Sequence, residues 1–100
     1  MPPVNKEETE MREYVALIRK EENTDYWVDI PDLPGCVSSG ETKEDAIANF
    51  QEALDIHMDT MREDNLEFPE ARPLANVLEA EKDEYLEAYV IEIDTGKSIP

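Results

Sequence analysis

Hydrophobic and polar positions alternate along this chain with periods that change sharply, and each change marks an element. From Tyr14 to Arg19 the run Tyr-Val-Ala-Leu-Ile-Arg is dense in strand-favouring residues and bounded by charge, which predicts a first strand. The polar stretch Lys20–Asp25 reads as a hairpin connection. In Tyr26–Ile30, strand alternation sets Tyr26, Val28 and Ile30 on one face and Trp27 and Asp29 on the other. Pro31-Asp32-Leu33-Pro34-Gly35 must end that strand, because neither proline can donate to a ladder and Gly35 accepts backbone angles other residues resist. Cys36–Gly40 is predicted as a third short strand.

The period then switches. Thr42-Lys43-Glu44-Asp45 resembles a capping box with Asp in the place of Glu, and its acids suit the positive end of a helix dipole. Ala46, Ile47, Phe50, Ala53, Leu54, His57, Met58 and Met61 follow at three- and four-residue spacing, one apolar stripe of a helix over 42–63. Glu44, Gln51, Glu52, Asp55, Asp59 and Glu63 decorate its other side. Pro69 and Pro73 make Asp64–Leu74 a loop, with Leu66, Phe68 and Leu74 as its candidate core anchors, and Ala75–Lys82 has room for one or two helical turns. In Tyr85–Asp94, Tyr89, Ile91 and Ile93 alternate with Ala88, Val90 and Glu92, which predicts a fourth strand.

The order strand, strand, strand, helix, strand predicts an α+β fold in which a sheet has one face covered by one long helix. Met1–Glu13 is polar and begins with prolines, so residues 1–13 are expected to be a flexible arm, a short helix from Lys6 being the alternative. Residues 14–94 form the domain, and 95–100 a polar tail.

Composition limits the chain to one core. Its 100 residues, 40% hydrophobic, suffice for a single domain, and folding at this size removes about two-thirds of the unfolded surface from water. The net charge of -17, from 26 acidic and 9 basic side chains, repels phosphate backbones, so direct nucleic-acid binding is not expected. The same field draws in a basic protein and speeds its encounter. Cys36 is the single cysteine and forms no internal disulfide, no apolar run near Met1 resembles a signal peptide, and no stretch approaches the roughly 20 apolar residues that cross a bilayer. A cytoplasmic location is expected.

Asp29-Ile30-Pro31-Asp32-Leu33-Pro34-Gly35-Cys36-Val37, then Gly40-Glu41-Thr42, then Glu44-Asp45-Ala46-Ile47 through Glu52-Ala53-Leu54, resembles the central signature of HicB antitoxins. With Phe68-Pro69 and the last strand, the resemblance runs from Tyr14 to Asp94. It implies a degraded ribonuclease-H-like fold arranged β-β-β-α-β, assembly into a homodimer or tetramer, and no catalysis by the chain itself. It further implies a partner toxin of the HicA type, an mRNA interferase with a catalytic histidine on a double-stranded-RNA-binding-like scaffold, which the antitoxin neutralises by covering its active site or RNA-binding surface. Many members of the family continue into a helix-turn-helix or ribbon-helix-helix segment that binds their own operator, whereas this chain ends at Pro100, so no specific DNA affinity is expected of it.

Catalytic chemistry finds little support. Asp29, Asp32, Glu41 and Asp94 lie near strand ends, where a two-metal site would keep its carboxylates, but with acids this abundant some must cluster by chance. His57, the only histidine, sits at the edge of the helical stripe with no nucleophile set beside it by any motif. Cys36 is expected to act as a small buried hydrophobe. Thr95-Gly96-Lys97-Ser98 imitates the end of a phosphate-binding loop, but the motif needs an earlier glycine where this chain has Ile91. Met58 and Met61 have core spacing. No metal and no cofactor is therefore expected, and the candidate partner contacts are Trp27, Asp29, Asp32 and Glu41, taken from the turn and the outer strand face. The rival readings are a stand-alone oligomeric adaptor with the same fold and a metal-dependent ribonuclease-H-like nuclease.

Overall fold

The computed structural model describes residues 9–82 and 84–98. They form β1 (Thr9–Arg19), β2 (Tyr26–Asp29), β3 (Val37–Gly40), α1 (Lys43–Glu63), α2 (Leu74–Ala80) and β4 (Glu87–Ser98). The strands make one antiparallel sheet in the order β3-β2-β1-β4, so β1 and β2 are central and β3 and β4 are edges.

Alternation assigns the two sheet faces. Tyr14, Ala16 and Ile18 of β1, Val28 of β2, Ile30 just beyond it and Ile93 of β4 are buried against Ala46, Phe50, Leu54, Met58 and Met61 of α1. Each large side chain in that contact contributes about 1.5–3 kcal/mol when fully buried. The methionines belong to this core, as their spacing predicts, while Ile47, Tyr26, Tyr89 and Ile91 pack around its margin.

The caps of α1 follow from its sequence. The Thr42 hydroxyl accepts the Asp45 N–H at 3.1 Å, which serves one of the amides that a helix start leaves unpaired. At the other end Asn65 takes the left-handed conformation (φ 53°). The Leu66 N–H then reaches the Met61 carbonyl at 2.9 Å and the Asn65 N–H reaches the Arg62 carbonyl at 3.2 Å, the paired bonds of a Schellman cap with Asn in the usual glycine position. Gly40 ends β3 where α1 begins. A Cβ there would stand 2.4 Å from the Ala46 nitrogen and 2.7 Å from the Asp45 carbonyl carbon, both backbone atoms.

The structure departs from the sequence expectations at the sheet's margins. Residues 9–13, expected in the arm, are strand, because the polar N-terminal part of β1 pairs with a long β4 whose ladder supplies its hydrogen bonds, across a register shift between Thr9 and Met11. The tail residues 95–98 are strand for the same reason, with Thr9 opposite Ser98. The remainder of the arm and the last two residues lie outside the described residues. The second sheet face, expected to be free of helices, is partly covered by α2: Val77 buries against Val15 and Leu17, with Leu78, Tyr85 and Ala88 alongside. One long helix on one face is thus corrected to a long helix on one face and a short helix on the other. Of the three anchors expected in Asp64–Leu74, only Phe68 sinks into the core, while Leu66 and Leu74 stay exposed. The backbone holds Phe68 there: the Pro69 carbonyl accepts from the Tyr14 hydroxyl and, at 3.0 Å, from Arg12, which also bonds the Phe68 carbonyl at 2.6 Å.

Because the atoms that crowd Gly40 are backbone and cannot swing aside, Gly40→Ala is expected to destabilise the domain by about 1–3 kcal/mol, read as a lower urea midpoint at unchanged slope.

Candidate partner interface

The contacts expected from the sequence do not gather at one place. Trp27 lies opposite Arg19 in the β1–β2 ladder, on the second sheet face, where it is half-buried and walls a cleft of about 330 Å3 with Arg19, Tyr85 and Leu86. Asp29 shares that face. Its carboxylate accepts from Arg19 Nε at 2.6 Å and Nη2 at 3.2 Å, and the same guanidinium reaches Glu81 at 2.9 Å. Burial alone would oppose the charge on Arg19, but its bonds to Asp29 and Glu81 outweigh that and hold it more firmly protonated than a free arginine. Asp32, on the Pro-Gly turn, accepts the Arg72 backbone N–H at 2.7 Å and Arg72 Nε at 2.6 Å. Both aspartates therefore fasten elements of this chain to one another. Glu41 is exposed at the start of α1.

Nor are the strand-end acids assembled. The β1 neighbours of Asp29 and Asp94 are Leu17 and Met11, six residues apart along the strand, which is about 20 Å. Among the described residues no group of three or more His, Cys, Asp and Glu is placed to hold a metal ion. His57 leans over the Pro-Gly turn: a Cβ on Gly35 would be 3.7 Å from its Cε1, so the ring packs where Gly35 (φ 93°) leaves room. Cys36 is buried beside it, and burial pushes its thiol above the usual range.

A groove lies apart from the residues singled out in the sequence. Leu54 and Met58 of α1 and Ile91 and Ile93 of β4 floor a cleft of about 380 Å3 that also has Asp55, Asp59, Glu92, Asp94 and Arg62 along it. Arg62 closes one end, donating to the Asp94 carbonyl at 2.6 and 3.2 Å and to Asp59 at 3.1 Å. Toward the other end of β4, Lys43 bonds Glu87 at 2.5 Å. That bond and the carboxylate's charge hold the ammonium above its usual range. The helix acids were legible as a polar stripe, but their alignment with a sheet edge depends on which strand ends beside α1.

The chain matches the family described as HicB_like antitoxin of bacterial toxin-antitoxin system over residues 14–98. It belongs to that family. The HicB-like chain is 36% identical over 72 residues to an uncharacterised 14.9 kDa protein of Haemophilus phage HP1, covering 72% of its own length and 53% of the phage protein. The crystal structure of the Burkholderia pseudomallei antitoxin HicB superposes with a TM-score of 0.58 at 33% identity, over 82% of this chain and 61% of that one. A chain of the HicA3 and HicB3 toxin-antitoxin complex gives 0.56 at 20% identity over 82% of this chain and 95% of that one, a likeness of fold. The HicB-like chain thus spans about half of the phage relative and under two-thirds of the Burkholderia antitoxin. The family is one of antitoxins and not of enzymes, and no helix among the described residues is long and apolar enough to cross a membrane.

The expected contacts separate in stability measurements. Asp29→Ala leaves a half-buried guanidinium with one carboxylate and is expected to lose about 1–3 kcal/mol, whereas Glu41→Ala should stay within about 0.5 kcal/mol of the parent in urea titration. Since its raised thiol pKa leaves little thiolate at neutral pH, Cys36 is expected to alkylate with iodoacetamide at least about tenfold more slowly in the folded protein than in urea, followed by mass spectrometry.

Proposed function

We propose that this chain is an antitoxin that binds a HicA-type mRNA interferase directly and neutralises it by covering its active site or RNA-binding surface. The family match over residues 14–98 carries this reading. Its chemistry is consistent with occlusion: an RNA-cutting protein needs a basic surface to hold phosphates, and a body of net charge -17 competes for that surface. No bond is made or broken by the antitoxin. In this reading the domain is a pared-down ribonuclease-H-like fold, acts in the cytoplasm as a homodimer or tetramer, and does not bind nucleic acid by itself. Trp27 and Glu41 are the proposed contacts among the residues singled out from the sequence, with Asp29 and Asp32 shaping the surface around them through Arg19 and Arg72.

Co-expression with the small basic protein of any adjacent open reading frame is expected to restore growth of cells that this protein arrests, and the two chains should co-purify. Their association rate should fall about tenfold or more from low to high salt. Failure to co-purify and to rescue growth overturns the reading.

A further inference from the structure

Among the described residues, one edge of the sheet is a long strand with no partner on its outer side. β4 runs for 12 residues, pairs with β1 on one side, and is the outermost strand of the sheet on the other. Such an edge presents backbone donors and acceptors to any extended chain that arrives, and proteins that leave one open guard it with charge. Here carboxylates dominate the middle of the edge, with Arg62 and Lys43 bonded to the chain on either side of them. On the α1 side Asp55 and Asp59 overlook Ile91 across the groove. On the second face Glu13 and Glu92 stand directly opposite each other in the β1–β4 ladder, a like-charge pair that costs stability. Next to them Val90 is 42% exposed and Met11 52%, beside Val15 in a groove of about 540 Å3.

We infer that the β4 edge takes up an extended basic segment of the partner as a fifth strand, an inference that rests on the antitoxin reading above. Strand alternation sets the chemistry of that segment. The residue beside Val90 meets Val15, Met11 and Leu74 in a groove that also carries Glu13, Glu70, Arg12 and Arg72, and its part on Val90 and Val15 is apolar. The next, beside Ile91, faces the Asp55 and Asp59 row and is Lys or Arg, its methylene stem on Ile91 and its charge on the helix carboxylates. The residue beside Glu92 meets the Glu13–Glu92 pair and is again basic, which relieves the repulsion between them. A second copy of this chain is the wrong occupant. A two-fold interface sets the same patch of both copies face to face, and that brings the acidic rows together. Arg62 and Lys43 pin α1 to β4 near both ends, so the groove is formed before the partner arrives.

Amide hydrogen exchange on the full chain, free and bound to a catalytically inactive variant of the HicA-type toxin that co-purifies with it, tests this. The β4 amides over 88–94 that do not bond to β1 are expected to slow at least about tenfold in the complex. Asp55→Lys with Glu92→Lys is expected to weaken binding about 10- to 100-fold at low salt. Glu21→Lys with Glu22→Lys, the same charge change on the exposed β1–β2 hairpin, should leave binding within about threefold. A complex that forms with β4 unprotected, with protection confined to the Trp27 face, or with the two double variants equally weakened overturns the inference and leaves the antitoxin reading standing. Slowing of the β4 amides in the free chain through self-association overturns it too. Absence of any complex overturns both.

Discussion

The structure depends on one contact, the apolar stripe of α1 laid across the inner face of the sheet. Phe50 and Leu54 are buried at its centre, against Tyr14, Ile18, Val28 and Ile30. A chain this small has one chance to remove enough apolar surface from water, and this contact takes most of it. The same contact sorts the charges. Because the stripe faces inward, Asp55 and Asp59 must face outward, and because α1 borders β4, they face outward along a strand edge.

The basic residues explain why so acidic a chain holds together and why its surface remains acidic. Arg12, Arg19, Arg62 and Arg72, all the arginines in the sequence, make bonds within the chain: to the Phe68 and Pro69 carbonyls, to Asp29 and Glu81, to the Asp94 carbonyl and Asp59, and to Asp32. The forked guanidinium suits this task, since it satisfies several oxygens at once on segments that are distant in sequence. Arg19 ties the turn after α2 to the sheet, and Arg72 ties the 64–73 connection to the Pro-Gly turn. With its arginines engaged by the chain's own oxygens in this way, the domain presents a surface dominated by carboxylates.

The match lies within the sheet-and-helix body, and the Burkholderia antitoxin and the phage protein both extend beyond the length that aligns. The proposed binding therefore falls to the sheet and α1. A surface with an open strand edge and grooves on both sides of it can recognise both the backbone and the side chains of a segment.

The local elements were legible in the sequence because their causes are local. The capping threonine, the spacing from Ala46 to Met61, the alternation of Tyr26, Val28 and Ile30, and the strand-breaking Pro-Gly turn each act within a few residues, and the family signature uses those same positions. The length of β1 and β4 was not legible, since polar residues 9–13 become strand only when a partner strand is there to bond them. Nor was the cover of the second face, because Val77 is one apolar residue in a short polar stretch until the fold sets it over Val15 and Leu17. The sequence by itself determined the elements, the core face of α1 and the sign of the surface. Only the tertiary structure decided which aspartates are bonded to arginines and which acids share a groove with an open edge, because those pairings join residues far apart in the chain and depend on the strand order β3-β2-β1-β4.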